Sequence, residues 1–320
     1  MNKNILIITN KIFNLTDDAE ERILKIAPKF EINTLHYKQV KERDIKNAEI
    51  IFGWPRYKHL KIANNLKWLQ LPSAGVEDYA DRELYASETV LLTNASGVYG
   101  KPIAEHIIAM ILSYNRNLAH YTLKKLDNKW NKKYEVLDFF DSTVGIIGLG
   151  DIGRETAKRT SALGARTIAY KKHKSKKPDY IDQQFSSTGL NQLIKESDYI
   201  ILALPATKET KGIIDKDKLK MMKNNAFLVN IGRGELIEQQ ALIEALKENW
   251  IAGAGLDVTF PEPLPENSEL WNLENVILTQ HSSGFSPTND KRRFDIFYKN
   301  LKKYIKDEAL FKLVDFELGY

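Results

Sequence analysis

Hydrophobic positions along the chain fall into short apolar runs separated by amphipathic stretches, and the alternation persists over nearly its whole length. Ile5–Ile8, Ile50–Gly53, Trp68–Leu71 and Val90–Thr93 read as strands. Asp17–Ala27 reads as a helix whose first turn carries Asp17, Asp18, Glu20 and Glu21, where the helix dipole favours acids. Strands separated by helices predict a parallel sheet covered on its faces. From Pro102 to Leu112 the residues Ile103, Ala104, Ile107, Ile108, Ile111 and Leu112 recur at helical spacing, which predicts a crossover into a second region. There the apolar runs Val144–Ile147, Thr167–Tyr170, Tyr199–Leu204, Phe227–Asn230, Gly255–Val258 and Val276–Thr279 alternate with helix-compatible stretches at 154–163, 190–195, 216–222 and 238–248. That is the pattern of a doubly wound sheet. Asn289–Lys306 reads as a final amphipathic helix, and Leu310–Phe316 as a tail returning to the first region.

The run Val144–Ile147 breaks into Gly148-Leu-Gly150-Asp-Ile-Gly153, a Gly-x-Gly-x-x-Gly placed between a strand and a helix. In that setting Gly148 permits the tight turn, Gly150 lets a pyrophosphate approach the backbone, and Gly153 lets helix and strand pack closely. The free N–H groups at the helix start then face the phosphates. The expected class is therefore α/β, with two doubly wound parallel-sheet domains and a cleft between them. Residues 1–100 and 286–320 form a discontinuous, flavodoxin-like substrate domain. Residues 101–285 form a Rossmann-type dinucleotide-binding domain.

Composition narrows the chemistry without changing this picture. The chain has 320 residues, 43% hydrophobic and 28% charged, as expected of a globular protein with a sizeable core. It contains no cysteine, which excludes disulfides, thiolate metal sites and cysteine nucleophiles. No metal is assigned to the site. The apolar run at Ile5–Ile8 is too short for a signal peptide, and no run approaches the roughly 20 apolar residues of a membrane span. A cytoplasmic location is expected. A net charge of +5 spread over scattered lysines argues against a nucleic-acid face.

Three residues follow predicted strands of the second region, where open α/β sheets bind ligands. Arg233, flanked by Gly232 and Gly234, offers a fork suited to a carboxylate or a polarised carbonyl. Glu262 lies between Pro261 and Pro263, and His281 is a proton carrier suited to neutral pH. Taken singly, each has a bland reading: a surface arginine, a solvated glutamate, a structural histidine.

The order of motifs around them resembles the D-isomer-specific 2-hydroxyacid dehydrogenases, in particular glyoxylate/hydroxypyruvate reductases. The resemblance runs through Ser73-Ala-Gly75-Val76, Asn94-Ala-Ser-Gly97-Val, Ala104-Glu105-His106, Gly148–Gly153 and Leu204-Pro205 with Thr207 and Thr210. It continues with Asn230-Ile-Gly-Arg233-Gly, Gly255-Leu-Asp257-Val, Glu262-Pro263-Leu-Pro, His281-Ser-Ser-Gly284 and a closing helix bearing Asn300. It implies that Arg233 orients a 2-oxo acid, His281 is the acid/base, Glu262 pairs with His281, and the backbone at Ala74–Gly75 contacts the substrate carboxylate. Implied cofactor contacts are Gly148, Gly150, Asp151, Ile152, Gly153, Pro205, Thr210, Ile231, Gly232, Arg233, Asp257, His281 and Gly284. The family also implies a homodimer formed mainly by the nucleotide domains.

The chain departs from the pattern in two places. The strand after the glycines commonly ends in an acid that binds the ribose 2′-hydroxyl of NAD. Here it ends Tyr170-Lys171-Lys172-His173-Lys174, and Lys171 and Lys172 would attract a 2′-phosphate. NADP(H) is therefore expected over NAD(H); alternatively these lysines are solvated surface. Gln280 stands where a proline commonly precedes the histidine. Trp54, Arg56 and Tyr57 follow the strand at 50–52, where they line a substrate pocket or pack a turn. The expected activity is reduction of a small 2-oxo acid, with D-lactate or phosphoglycerate dehydrogenase as the alternative. Many phosphoglycerate dehydrogenases resembling this family carry an extra C-terminal regulatory domain, whereas this sequence ends soon after its last helix; a glyoxylate or hydroxypyruvate reductase is therefore expected over a phosphoglycerate dehydrogenase, a short form of which stays open. A dinucleotide-sensing corepressor is the alternative of another class.

Overall fold

A computed structural model of the chain describes residues 3–172 and 176–317. His173 and Lys174, part of the basic run noted above, lie outside them. The chain divides into two compact units, Met1–Val98 with Ser286–Tyr320, and Tyr99–Phe285.

The first unit holds strands β1 (Lys3–Thr9), β2 (Phe30–His36), β3 (Ile50–Phe52), β4 (Trp68–Gln70) and β5 (Leu91–Thr93). They pair in parallel in the order β2-β1-β3-β4-β5. This is the flavodoxin-like order. Side chains alternate across the sheet with period two, so each apolar run serves two cores. Ile5, Ile7, Ile50, Phe52 and Trp68 face the helix Asn289–Tyr304 through Phe294, Phe297 and Leu301. Phe297 stacks on Phe52 at 4.4 Å between ring centroids and on Trp68 at 5.3 Å. Leu6, Ile8, Ile51 and Leu69 fill the other core. The tail does return: Val314 is buried, and its N–H donates to Leu92 O at 2.8 Å. Strand β2 escapes the hydrophobic pattern because it is an edge, with Asn33 and Thr34 in its middle and no full burial after Phe30.

The second unit holds β6 (Thr143–Ile147), β7 (Arg166–Tyr170), β8 (Gln183–Phe185), β9 (Tyr199–Leu202), β10 (Phe227–Asn230), β11 (Gly253–Leu256) and β12 (Val276–Leu278). All pair in parallel, in the order β12-β11-β10-β9-β6-β7-β8. Counted within the unit, this is the Rossmann order 3-2-1-4-5-6 with a seventh strand beside the sixth. The order reverses between β6 and β9, and such switch points are where dinucleotides bind. The predicted crossover helix runs from Gly100 to Asn115 and packs Ile103, Ile107, Met110 and Ile111 with Val144, Ile146, Ile201 and Val229 of the sheet. β11 starts two residues before the apolar run suggests, because its first three residues are Gly253, Ala254 and Gly255. A Cβ on Gly255 would lie 3.0 Å from Met110 Sδ, so the crossover helix is what keeps that strand bare. The pattern also misses β8, a three-residue edge, and the helix Leu118–Leu126. Among the described residues no helix is long and apolar enough to cross a membrane.

Candidate active site

At the switch point the three glycines separate by cause. Gly148 has φ +106°, a conformation side chains disfavour, and a Cβ there would sit 2.4 Å from Ala203 O. A Cβ on Gly153 would meet Gly148 O at 2.0 Å, so the helix Asp151–Ala162 can lie on the turn only if that residue is bare. Gly150 is different: a Cβ there meets no heavy atom within 4 Å. The polypeptide does not need this glycine, whereas a pyrophosphate lying against the backbone at a helix N-terminus does. The loop thus fits a dinucleotide. Asp151 accepts the N–H of Gly100 at 2.9 Å, which ties the crossover helix to the loop. Gly150→Ala should leave the melting temperature within a degree or two and weaken dinucleotide binding about tenfold, read by thermal melts and titration calorimetry. Gly153→Ala should instead cost about 1–3 kcal/mol of stability through overpacking. Equal effects of the two changes on stability would contradict this division.

Arg233, Glu262 and His281 follow β10, β11 and β12, three neighbouring strands of one sheet. Parallel neighbours lie about 4.8 Å apart, so the sheet delivers the three loops side by side at its C-terminal edge. Two of the side chains meet directly: His281 Nδ1 and Glu262 Oε2 are 2.8 Å apart. An ionised carboxylate only accepts, so Nδ1–H is the donor and Nε2 is left to handle a proton. The other oxygen of Glu262 accepts the N–H of Thr259 at 3.2 Å. The peptide bonds Phe260–Pro261 and Glu262–Pro263 on this loop are both cis. The side chains of His281 and Glu262 remain 54% and 38% exposed, so a substrate can reach the pair.

His281 itself has φ +50°, in the left-handed region that a histidine seldom occupies. Asp257 is what holds it there. The N–H of His281 donates to Asp257 O at 2.7 Å, and the Asp257 carboxylate accepts from Thr279 Oγ1 at 2.6 Å and from the N–H groups of Ser282 and Ser283. Burial opposes the ionised form of Asp257, but the bonds from Ser283, Thr279 and the Ser282 and Ser283 backbone outweigh it and hold the carboxyl below its usual range. His106 closes the cluster, with Nε2 3.0 Å from Thr279 Oγ1. The sequence does not single out Thr279, Ser282, Ser283 or His106 for this part. His106 and Ser282–Ser283 fall within motifs of the family resemblance, but nothing in their spacing reveals this packing.

Arg233 is presented by a loop that Asn230 clamps twice: its Oδ1 accepts the N–H of Gly232 at 3.1 Å and its Nδ2 donates to Arg233 O at 2.8 Å. The guanidinium donates to Gly232 O at 2.8 Å. A Cβ on Gly234 would lie 2.1 Å from Thr259 O, so the Arg233 and Glu262 loops touch backbone to backbone. Ile231 is buried beside them, and a Cβ on Gly284 would come within 3.3 Å of Tyr99. Pro205 and Thr210 form one turn, with Thr210 Oγ1 donating to Pro205 O at 2.6 Å. Beyond β7, Lys172 Nζ pairs with Glu209 Oε2 at 2.6 Å.

Trp54, Ala74 and Gly75 belong to the first unit. Trp54 Nε1–H donates to Ser73 Oγ at 3.2 Å, and Ser73 Oγ donates to Gly75 O at 2.8 Å. Asn94 Nδ2 donates to Ala74 O at 3.2 Å from the end of β5. The structure thus joins Trp54 to the Ser73–Gly75 loop. Trp54 also lines an open surface depression of about 550 Å³ with Pro55, Arg56, Tyr57, Lys58 and Tyr79.

A parallel sheet with a bare glycine at its switch point and a His–Glu pair at its far strand ends defines a dinucleotide-dependent α/β enzyme. Residues 108–283 match the model of the D-isomer specific 2-hydroxyacid dehydrogenase NAD binding domain. A glyoxylate reductase of Pyrococcus furiosus is 34% identical over 253 residues, 76% of this chain and 72% of its own. A D-3-phosphoglycerate dehydrogenase of Methanocaldococcus jannaschii is 30% identical over 316 residues, 94% of this chain and 59% of its own. The solved structure of a D-isomer specific 2-hydroxyacid dehydrogenase family protein from Aeromonas salmonicida has a TM-score of 0.84 at 28% identity, covering 99% of this chain and 100% of its own. The chain belongs to the D-isomer-specific 2-hydroxyacid dehydrogenase family. It is an NAD(P)-dependent oxidoreductase acting on CH–OH donors.

Proposed function

We propose that the protein reduces small 2-oxo acids of the glyoxylate and hydroxypyruvate type to 2-hydroxy acids, with NADP(H) preferred over NAD(H). The observation that carries this reading is the 2.8 Å His281–Glu262 pair at the sheet edge, one loop beyond Arg233. The Gly148–Gly153 loop would hold a reduced nicotinamide dinucleotide, which would supply hydride chemistry at the site. The protein's part is to place the substrate and to move one proton. Arg233 polarises the C2 carbonyl and holds the acid, and the Ala74–Gly75 loop contributes carboxylate contacts. His281, protonated at Nε2, gives its proton to the developing alkoxide, and Glu262 stabilises the imidazolium beforehand. Trp54 shapes the space for the substrate side chain. Lys171 and Lys172 favour the 2′-phosphate of NADP(H). The glyoxylate reductase relative supports the substrate class.

The phosphoglycerate dehydrogenase relative, similar over nearly the whole of this chain, favours a second reading. Initial rates with glyoxylate, hydroxypyruvate, pyruvate and 3-phosphohydroxypyruvate, each with NADPH and NADH, separate the two. Highest kcat/KM for glyoxylate or hydroxypyruvate with NADPH is expected. A clear preference for the phosphorylated substrate or for NADH would overturn the corresponding half of the reading.

We further propose a homodimer. The helix Leu118–Leu126 and the segment after it expose Leu123, Leu126, Trp130, Tyr134 and Phe140, with Trp130 93% exposed. A string of large apolar groups on one arm fits an interface rather than a solvated surface. Sedimentation should give a dimer for wild type and a monomer for Leu126→Asp/Trp130→Ser; a wild-type monomer at micromolar concentration would refute the proposal.

A further inference from the structure

The end of β7 lacks the carboxylate that commonly receives an adenosine ribose, yet the structure brings one there from elsewhere. Glu209 follows β9, Lys172 follows β7, and β6 lies between those two strands. The Lys172–Glu209 bridge at 2.6 Å thus links the loops that follow the two neighbours of β6. The glycine loop follows β6 itself. The pair therefore joins the loops that follow the two strands flanking β6, beside the switch point where a dinucleotide lies.

Both ends are held. Lys171 N–H donates to Phe185 O at 3.0 Å, fixing the end of β7 on β8. Glu209 sits in a closed turn: the N–H groups of Thr210 and Lys211 both donate to Thr207 O at 3.0 Å, and Thr207 N–H donates to Thr210 Oγ1 at 2.8 Å. The turn is anchored onward by Lys211 Nζ to Glu235 Oε1 at 2.6 Å. With side chains 56% and 68% exposed, Lys172 and Glu209 form a pair that water and ions can reach, so it exchanges partners at little cost.

We propose that Glu209 sets the cofactor selectivity by competing with the adenosine 2′-substituent for Lys172. This rests on the dinucleotide reading of the site and adds a residue to it. With a ribose 2′-hydroxyl, Glu209 keeps its bond to Lys172 and accepts the hydroxyl hydrogen. It thereby does from β9 what an acid at the end of the second strand does elsewhere. With a 2′-phosphate, two anions claim one ammonium, and Glu209 has to turn away before Lys172 can bind the phosphate. Lys172 therefore attracts NADP(H) while Glu209 holds the preference down.

Direct binding of NADP+ and NAD+ to the full chain, by titration calorimetry on wild type, Glu209→Gln, Lys172→Gln and the double variant, tests this without reference to turnover. Glu209→Gln should tighten NADP+ about three- to tenfold and leave NAD+ unchanged or weaker. Lys172→Gln should weaken NADP+ by a similar factor, and in its background Glu209→Gln should no longer tighten NADP+ through Lys172, so the two effects are non-additive. A ratio of the two dissociation constants that stays within about twofold of wild type in Glu209→Gln, or moves toward NAD+, overturns the selector alone. A wild type that binds neither dinucleotide overturns the cofactor reading and the selector with it.

Discussion

On the proposed mechanism, replacing His281 by Asn should lower kcat for 2-oxoacid reduction by about 10²–10⁴-fold, the usual contribution of a positioned proton donor. Asn is the informative substitution because His281 sits at φ +50°, a conformation that Asn tolerates and Ala does not. The Asp257 carboxylate and its bonds to Thr279, Ser282 and Ser283 are untouched by the change, so the loop keeps its shape. The melting temperature should therefore stay near wild type while turnover collapses. Stopped-flow reduction at saturating substrate reads this directly. A kcat within about threefold of wild type would show that the proton comes from elsewhere.

On the same proposal, Arg233→Gln should lower kcat/KM by about 10²–10³-fold, the scale on which loss of a preorganised donor to a developing oxyanion is felt. Arg233→Lys recovers only part of this, since an ammonium keeps the charge but not the planar fork. The loop survives either change because Asn230 fixes the backbone of Gly232 and Arg233 through its own side chain. Steady-state kinetics with circular dichroism as the control decide it. Equal kcat/KM for wild type and the Arg233→Gln variant would remove Arg233 from the site.

Much of the fold is legible in the chain because parallel strands buried on both faces leave continuous apolar runs, as at Ile5–Ile8 and Phe227–Val229. Where a strand is a polar edge or is built from glycine, that signal fails, whereas the edges β5 and β12 keep apolar runs and are read. β2 and β8 vanish for the first reason, and the start of β11 for the second, since Gly253 and Gly255 are bare where the crossover helix and the Asn275 backbone pack on them, and that packing leaves no local spacing. The site divides in the same way. His281 and Glu262 attract notice as residue types after predicted strands, and adjacent strands β11 and β12 carry them into contact. The cluster that forces His281 into its rare backbone conformation draws on His106, 175 positions earlier in the chain, as well as on Asp257 and Thr279. Contacts of that range arise from packing and leave no local spacing to read. Glu209 is hidden for a related reason: its pairing with Lys172 follows from the strand order β9-β6-β7, which puts the loops bearing them, far apart in sequence, after the two strands flanking β6.

Reduction of a 2-oxo acid, with the hydride delivered to one face only, is the core of the proposed function. Purified wild type incubated with hydroxypyruvate and NADPH, with the product resolved by chiral chromatography, tests both parts at once. D-glycerate formed in step with NADPH consumed is the expected result. L-glycerate, a racemate, or no oxidation of NADPH or NADH would contradict it.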